Sequence, residues 1–431
     1  MTDTDAATGP RAAPETGEVF RVFGRIGLLS FGGPAAQIAL MHRELVEARP
    51  WLTEKQFLQA LSFCMLLPGP EAMQLATYAG WRVAGVKGGL IGGLLFVIPG
   101  ALVILALASL YAAYGSVPLA QALFLGIKAT VIVIVAQALL RVSRRALNRP
   151  LAWALAAGAF LGLFVFGLPF PLIVLAAALV GAVAAAGGAA DIAPAPRVAT
   201  RDTARTVALW GAIWLLPLAA LWLAAPGGLL AEVGLFFSKL AVVTFGGAYA
   251  VLAWMVQEVV QDFGWLTTAQ MMDALGLAET TPGPLILVTE FVGFLAGAQA
   301  GGFWLGLAAA AVTLWVTFAP CFLWIFAGAP YVEWIATRPR LQGALDAITA
   351  AVVGVIANLS LWFALHVLFG EVVRMGEAGL WLPVPATVDP GALLLTILAG
   401  GLIFWRRLDL LLVLPLMALA GLAWSYAAGL P

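Results

Sequence analysis

A run of about 20 apolar residues is long enough to cross a bilayer as a helix, and this chain contains little besides such runs. A first series covers residues 19–41 (A), 55–85 (B), 89–114 (C), 117–140 (D), 151–167 (E), 170–188 (F) and 206–225 (X). A second covers 230–256 (A′), 269–299 (B′), 302–327 (C′), 343–368 (D′), 391–404 (E′) and 409–427 (F′). Hydrocarbon offers no water to complete backbone hydrogen bonds, so runs of this length fold as helices. The expected fold is an all-α polytopic membrane protein of about 13 transmembrane segments, with the lipid bilayer as its solvent. Charge content agrees, since only 10% of residues are charged where a soluble domain carries roughly a quarter. Residues 1–18 are polar and read as a disordered cytoplasmic tail. They lack the basic stretch followed by an apolar one that marks a cleaved signal peptide.

The second series repeats the first. With an offset of 214 residues, Phe23–Pro70 aligns on Phe237–Pro284 without a gap, and 18 of the 48 positions are identical. Phe31-Gly32-Gly33 falls on Phe245-Gly246-Gly247, Trp51-Leu52-Thr53 on Trp265-Leu266-Thr267, and Pro68-Gly69-Pro70 on Pro282-Gly283-Pro284. An offset of 221 then pairs Pro99 with Pro320 and Gln137 with Asn358. The expected organisation is a first transporter repeat at 19–188, a linker and topology-flipping helix at 189–229, and a second repeat at 230–431.

Lysine and arginine in short loops mark the cytoplasmic side. Loop 141–149 (Arg141, Arg144, Arg145, Arg149), linker 189–205 (Arg197, Arg201, Arg205), loop 328–342 (Arg338, Arg340) and loop 405–408 (Arg406, Arg407) carry them. With these four inside, A runs outward and A′ inward, and the repeats have inverted topology, a common plan of secondary transporters. If B and B′ each cross once, loop 257–268 falls inside, although it is acidic through Glu258 and Asp262. Loop 369–390, with Glu371, Glu377 and Asp389 against Arg374, falls outside. Gly32-Gly33-Pro34 and Pro68-Gly69-Pro70 would each break a helix within the membrane. If both A and B are re-entrant hairpins, the parity and the inversion survive.

Those breaks are the candidate site. Unwinding at Gly32-Gly33, and at Gly246-Gly247, frees backbone N–H groups that need a polar cavity. Glycine lets an anion approach the main chain, and the Ser30 and Thr244 hydroxyls add donors. Close helix packing is the alternative role of such glycine pairs. Pro70 and Pro284 suit the first turn of a half-helix, whose N-terminus offers unpaired N–H groups and partial positive charge. Pro68, Gly69, Pro282 and Gly283 precede those turns; a plain structural kink is the alternative. Thr53 and Thr267 fit N-caps. Ionisable residues inside spans are costly and so are functional candidates. Arg25 and Lys239, at equivalent positions, either attract an oxyanion or snorkel. Lys128, mid-span in D, serves as a substrate cation or pairs with Glu71, Glu279 or Glu290. Glu71 and Glu290 are the proton-coupling candidates. His42 and His366 read as interfacial.

Formal net charge is zero, so no nucleic-acid partner is implied. Cys64 and Cys321 sit far apart in apolar runs, without a CxxC or Cys/His cluster, so neither metal nor cofactor is expected. HExxH, GxSxG and P-loop motifs are absent, which argues against an enzyme or an ATPase.

The run Phe23 to Pro34 (F-x-R-I-G-x-x-S-F-G-G-P), followed by Trp51-Leu52 and Leu67-Pro-Gly-Pro70, resembles the chromate ion transporter family, in its long two-domain form. The resemblance implies a multi-pass protein of the bacterial inner membrane that exports chromate or a sulfate-like oxyanion, driven by the membrane potential or proton gradient. It gives functional weight to Arg25, Ser30, Gly32, Gly33, Pro68, Gly69 and Pro70; the second half departs at Lys239, Thr244 and Ala248. Transport of sulfate or another anion in the uptake direction is the alternative. The abundant glycines serve a homodimer or internal packing equally.

Overall fold

The computed structural model describes residues 14–186, 200–245, 248–336, 338–375 and 380–429. Most of the polar tail, the greater part of the linker with Arg197, the pair Gly246-Gly247, and Glu377 lie outside them. The first half comprises α1 (Thr16–Leu28), α2 (Gly33–His42), α3 (Glu54–Leu66), α4 (Glu71–Tyr114), α5 (Pro118–Ala146), α6 (Pro150–Phe164) and α7 (Phe170–Ala184). Then come α8 (Thr200–Ala224), α9 (Leu229–Val243), α10 (Ala248–Gln257), α11 (Thr268–Ala278), α12 (Val288–Gly301), α13 (Phe303–Gly328), α14 (Val332–Ala336) and α15 (Pro339–Leu368). A β-hairpin, β1 (Val372–Met375) with β2 (Leu380–Pro383), precedes α16 (Pro390–Gly400) and α17 (Leu410–Ala427). Six of the helices are long and apolar enough to cross a membrane. The hairpin corrects the all-α expectation locally: loop 369–390 is partly sheet.

Segments A, B, A′ and B′ are not single helices. Segment A is interrupted between α1 and α2, where Gly32 and Gly33 take φ of 82° and 78°, values that an L side chain rarely adopts. The chain then folds back on itself. Arg25 on α1 pairs with Glu44 beyond α2 at 3.6 Å, and Glu18 pairs with Arg49 at 3.9 Å. Segment B is α3, the Pro-Gly-Pro break, and a first limb of α4 over residues 71–83; Phe63 on α3 packs against Tyr78 on that limb. At Ala84–Gly85 the chain reverses again, into a second limb over 86–114. The limbs touch so closely that a Cβ on Gly80 would lie 2.2 Å from the Gly88 carbonyl oxygen.

The second half repeats this path. Helices α9 and α10 flank the second Gly-Gly, α11 and α12 flank the second Pro-Gly-Pro, and Gly302 (φ 81°) turns α12 into α13. One pair of matching aromatic contacts illustrates this. Phe23 packs on Trp51 with ring centroids 6.4 Å apart, and Phe237 on Trp265 at 6.3 Å. These pairs staple each hairpin's start to its return. Thr53 with Gln56, and Thr267 with Gln270, form reciprocal capping boxes that start α3 and α11, as the sequence suggested.

Tertiary contacts sort the turns into two ends. At the basic end, Thr203 meets Tyr331 and Gly181 meets Gly343, near the arginine-bearing loops. At the other end, Gln257 and Gln261 line one cavity with Gly167, Arg374 and Trp381. Thr267 and Gln270 line a second with Tyr111, Gly115 and Ser116. Loop 257–268 therefore lies opposite the basic end, not with it. The expectation from single crossings is corrected, and the acidic character of that loop ceases to be anomalous. Hairpin folding is the physical reason: a half-length helix pair returns to the face it left.

His42 closes the first hairpin at the basic end, bonded to Glu47 at 3.0 Å and Glu54 at 2.6 Å. The hydrogen bond to Glu54, aided by both carboxylate charges, holds the imidazole above its ordinary value of 6.5. A raised histidine contributes stability that is full below about 6.5 and is lost as pH climbs through the folded-state value. The thermal stability gap between wild type and His42→Gln should accordingly be larger at pH 6 than at pH 9. Labelling tests the fold-back itself. Single cysteines at 47 and 145 should react from one face of the membrane and a cysteine at 261 from the other; labelling of 261 together with 145 would overturn it.

Candidate functional site

The two halves meet at their breaks, and they meet reciprocally. The Gly69 N–H donates to the Thr244 carbonyl at 2.7 Å, and the Gly283 N–H donates to the Ser30 carbonyl at 2.8 Å. Each Pro-Gly-Pro of one repeat is thus paired with the Gly-Gly break of the other. Gly69 (φ 117°) and Gly283 (φ 86°) hold conformations that suit glycine. Each break also rests on the proline-bearing centre of the other repeat's long helix. A Cβ on Gly100, beside Pro99, would lie 2.2 Å from the Pro282 carbonyl oxygen, and a Cβ on Gly69 would lie 2.9 Å from Cys321 Sγ, beside Pro320.

These contacts reassign the hydroxyls. Ser30 donates its hydroxyl hydrogen to the Ile26 carbonyl, and Thr244 to that of Leu240. Neither is a free donor for an anion, contrary to expectation. A buried hydroxyl at the end of a half-helix finds its nearest acceptor one turn back. Two glutamines finish the breaks. Gln37 Nε2 donates to the carbonyls of Ser30 (3.2 Å) and Gly283 (2.7 Å), and Gln74 Nε2 to that of Pro68 (2.7 Å). Gln37 was not singled out in the sequence, although an amide in an apolar run is the signal that could have found it. What remains available is the first turn of α4, where Pro70 provides no side-chain cap, and the equivalent turn after Pro284. Both places already hold a carboxylate nearby: Glu71 in the first turn of α4 and the buried Glu290 in the first turn of α12.

The cations are distributed otherwise than expected. Arg25 is exposed and tied to Glu44, which also takes Arg49 at 2.7 Å. Lys239, at the equivalent position, is exposed. Lys128 pairs with none of the three carboxylates considered. Its ammonium lies 3.1 Å from Asp273 on α11, whose other oxygen accepts from the Tyr111 hydroxyl at 2.7 Å. Asp273 is fully buried; it was missed, although a lone acid within Met-Met-Asp-Ala-Leu-Gly-Leu-Ala carried the same warning as Lys128. Glu279, at the end of α11, accepts from the Tyr249 hydroxyl. Gly246 and Gly247 lie outside the described residues.

Cavities approach this centre from both ends. From the basic end, one is lined by Arg145, Arg149, Asn148 and Asp346 and reaches Met65 and Leu66, just ahead of the first Pro-Gly-Pro. From the opposite end, another is lined by Ser116, Gln121, Thr267, Gln270 and Gln299 and reaches Tyr111 and Asp273. No group of three or more histidine, cysteine or acidic side chains suited to a metal occurs among the described residues.

Gly100→Ala should separate α4 from the second break while the protein still inserts, cutting transport at least about tenfold, the effect of roughly 1.4 kcal/mol on a barrier. Gly211→Ala on α8, where a Cβ meets nothing within 4 Å, is the control. Equal transport by the two variants would show that this contact is unimportant.

No solved structure matches this chain. A probable chromate transport protein of Synechococcus elongatus is 30% identical over 417 residues, covering 94% of this chain and all of the relative. Chromate transport proteins of Cupriavidus metallidurans and Pseudomonas aeruginosa are 31% and 35% identical, covering 83% and 82% of this chain and 85% and 81% of theirs. The family model described as "Chromate transporter" matches residues 17–182 and 231–422, once on each half. With both repeats matched and relatives aligned along most of its length, this multi-pass membrane protein belongs to the chromate transporter family.

Proposed function

We propose that the protein exports chromate, or a sulfate-like tetrahedral oxyanion, from the cytoplasm of a bacterium across its inner membrane, as a secondary active transporter coupled to the proton motive force. The observation that carries the transporter reading is the reciprocal pairing of the two breaks, with cavities that carry polar side chains lying toward opposite ends. The substrate comes from the relatives, whose names describe chromate transport.

In this reading the six long helices and the shorter α6, α7 and α16 cross the membrane, while α1–α2, α3 with the first limb of α4, α9–α10 and α11–α12 are re-entrant. Arginines in the loops at one end support its assignment to the cytoplasmic side. The second limb of α4 then runs outward and α13 inward, so the repeats are inverted about the breaks. The oxyanion is held at the uncapped N-termini of the half-helices after Pro70 and Pro284, with the strained backbone at Gly32, Gly33, Gly69 and Gly283 shaping its approach. Helix N-termini suit a dianion without a dedicated cation. Arg145 and Arg149 draw it in from the cytoplasmic cavity, and it leaves through the cavity at the opposite end. Glu71 and Glu290 compete with it for the same partial positive charge, so a proton on either carboxylate favours binding. A dianion that leaves with one such proton still carries negative charge outward, so the membrane-potential component of the proton motive force drives the export.

Everted membrane vesicles carrying the protein should accumulate chromate when energised, and an uncoupler should abolish the accumulation. Excess sulfate should compete if the cavity reads only charge and shape. Well-sealed vesicles with confirmed expression that accumulate no more chromate than vesicles without the protein would refute the export reading.

A further inference from the structure

The outer cavity contains a feature that the export reading does not use. Asp273 is fully buried at its inner end, yet it is one of the groups that line the cavity. Lys128, only 13% exposed, has Asp273 as its carboxylate partner at 3.1 Å. Tyr111 satisfies the second carboxylate oxygen. The charged and titratable groups facing Asp273 are thus Tyr111 from α4 and Lys128 from α5. Helix α12 presents Leu295, Ala298 and Gln299 to the cavity, and the turn Leu285–Leu287 before it presents no ionisable group.

An ammonium buried against one carboxylate is unavailable to another anion. Lys128 stands behind Asp273, and the other polar groups that line the cavity are neutral: the amides of Gln121, Gln270 and Gln299 and the hydroxyls of Ser116, Thr267 and Tyr111. Amides and hydroxyls can donate to oxyanion oxygens, but they do not offset a dianion's charge, and a charged Asp273 would repel it. We propose that Asp273 and the transported oxyanion compete for Lys128, and that a proton entering from the outer cavity onto Asp273 switches Lys128 from the carboxylate to the oxyanion. The proton passes from outer water to a carboxylate oxygen of Asp273. The neutral acid keeps a partner in Tyr111, whose hydroxyl then accepts or donates as geometry requires, and the ammonium is left with its charge uncompensated. When the proton leaves, Asp273 recaptures Lys128 and the oxyanion is released. Because the cavity opens away from the basic end, this exchange serves the face opposite the arginines. It assigns to Asp273 a coupling role distinct from that of Glu71 and Glu290 at the breaks, and it rests on the anion-transport reading above.

The test uses the purified full-length protein, titrated with chromate and separately with sulfate. Tryptophan fluorescence reports binding, and a pH dye in weak buffer reports protons taken up. At pH 8 Lys128 is uncontested in Asp273→Asn, which should bind oxyanion about tenfold more tightly than wild type, because the fraction of molecules with a free ammonium rises. Its proton uptake per oxyanion should fall by one. Lys128→Met should bind weakly, and the double variant should resemble Lys128→Met. An ion pair with only a structural role would instead give both single variants lower thermal stability and weaker binding, with proton uptake unchanged, and that result would overturn the proposal. Proton uptake linked to Asp273 on binding sulfate but not chromate would support the switch while refuting chromate as substrate. Chromate binding with the same proton count in wild type and Asp273→Asn would refute the switch and leave the substrate standing.

Discussion

Two backbone hydrogen bonds, Gly69 N–H to the Thr244 carbonyl and Gly283 N–H to the Ser30 carbonyl, are the constraint around which the rest of the structure is arranged. A helix broken within a membrane exposes peptide groups that hydrocarbon cannot satisfy, at several kcal/mol each. Here the orphaned donor of one repeat is matched to the orphaned acceptor of the other. At the breaks, each repeat thus completes the other's main chain.

The packing around the breaks follows. The long helices cross the site at Pro99-Gly100 and Pro320-Cys321, where small side chains let the opposing Pro-Gly-Pro approach to van der Waals distance. Gln37 and Gln74 supply the amide hydrogens that the remaining carbonyls require. The halves are not symmetric in these details. The position equivalent to Gln37 is Val251, and that equivalent to Glu290 is Ala76. A pair of repeats alike in backbone but unlike in buried polar groups can distinguish its two faces, as vectorial transport demands.

A common electrostatic pattern runs through the interior. Carboxylates stand close to positive groups of the interior: Glu71 and Glu290 in the first turns of the half-helices, and Asp273 on Lys128. Desolvated positive charge left alone is costly, and these acids offset it. Under the proposed function, anion binding and protonation of these acids are linked equilibria.

Much of this was legible in the sequence. Hydrophobic run length determined that the chain crosses a membrane, because no other environment tolerates such density of apolar residues. The offset of 214 residues determined the duplication, and glycine and proline marked the breaks, since only they demand departures from helix geometry that show in the residue itself. Thr53 and Thr267 named their caps for the same local reason. Tertiary structure alone decided whether a broken segment crosses or returns, because a half-helix pair of either kind has the same composition; only contacts such as Arg25–Glu44 and Phe237–Trp265 tell them apart. It also decided who partners whom. That Lys128 meets Asp273 and that Arg25 meets Glu44 are consequences of three-dimensional proximity between segments apart in the chain, and one-dimensional order does not encode distance across a fold.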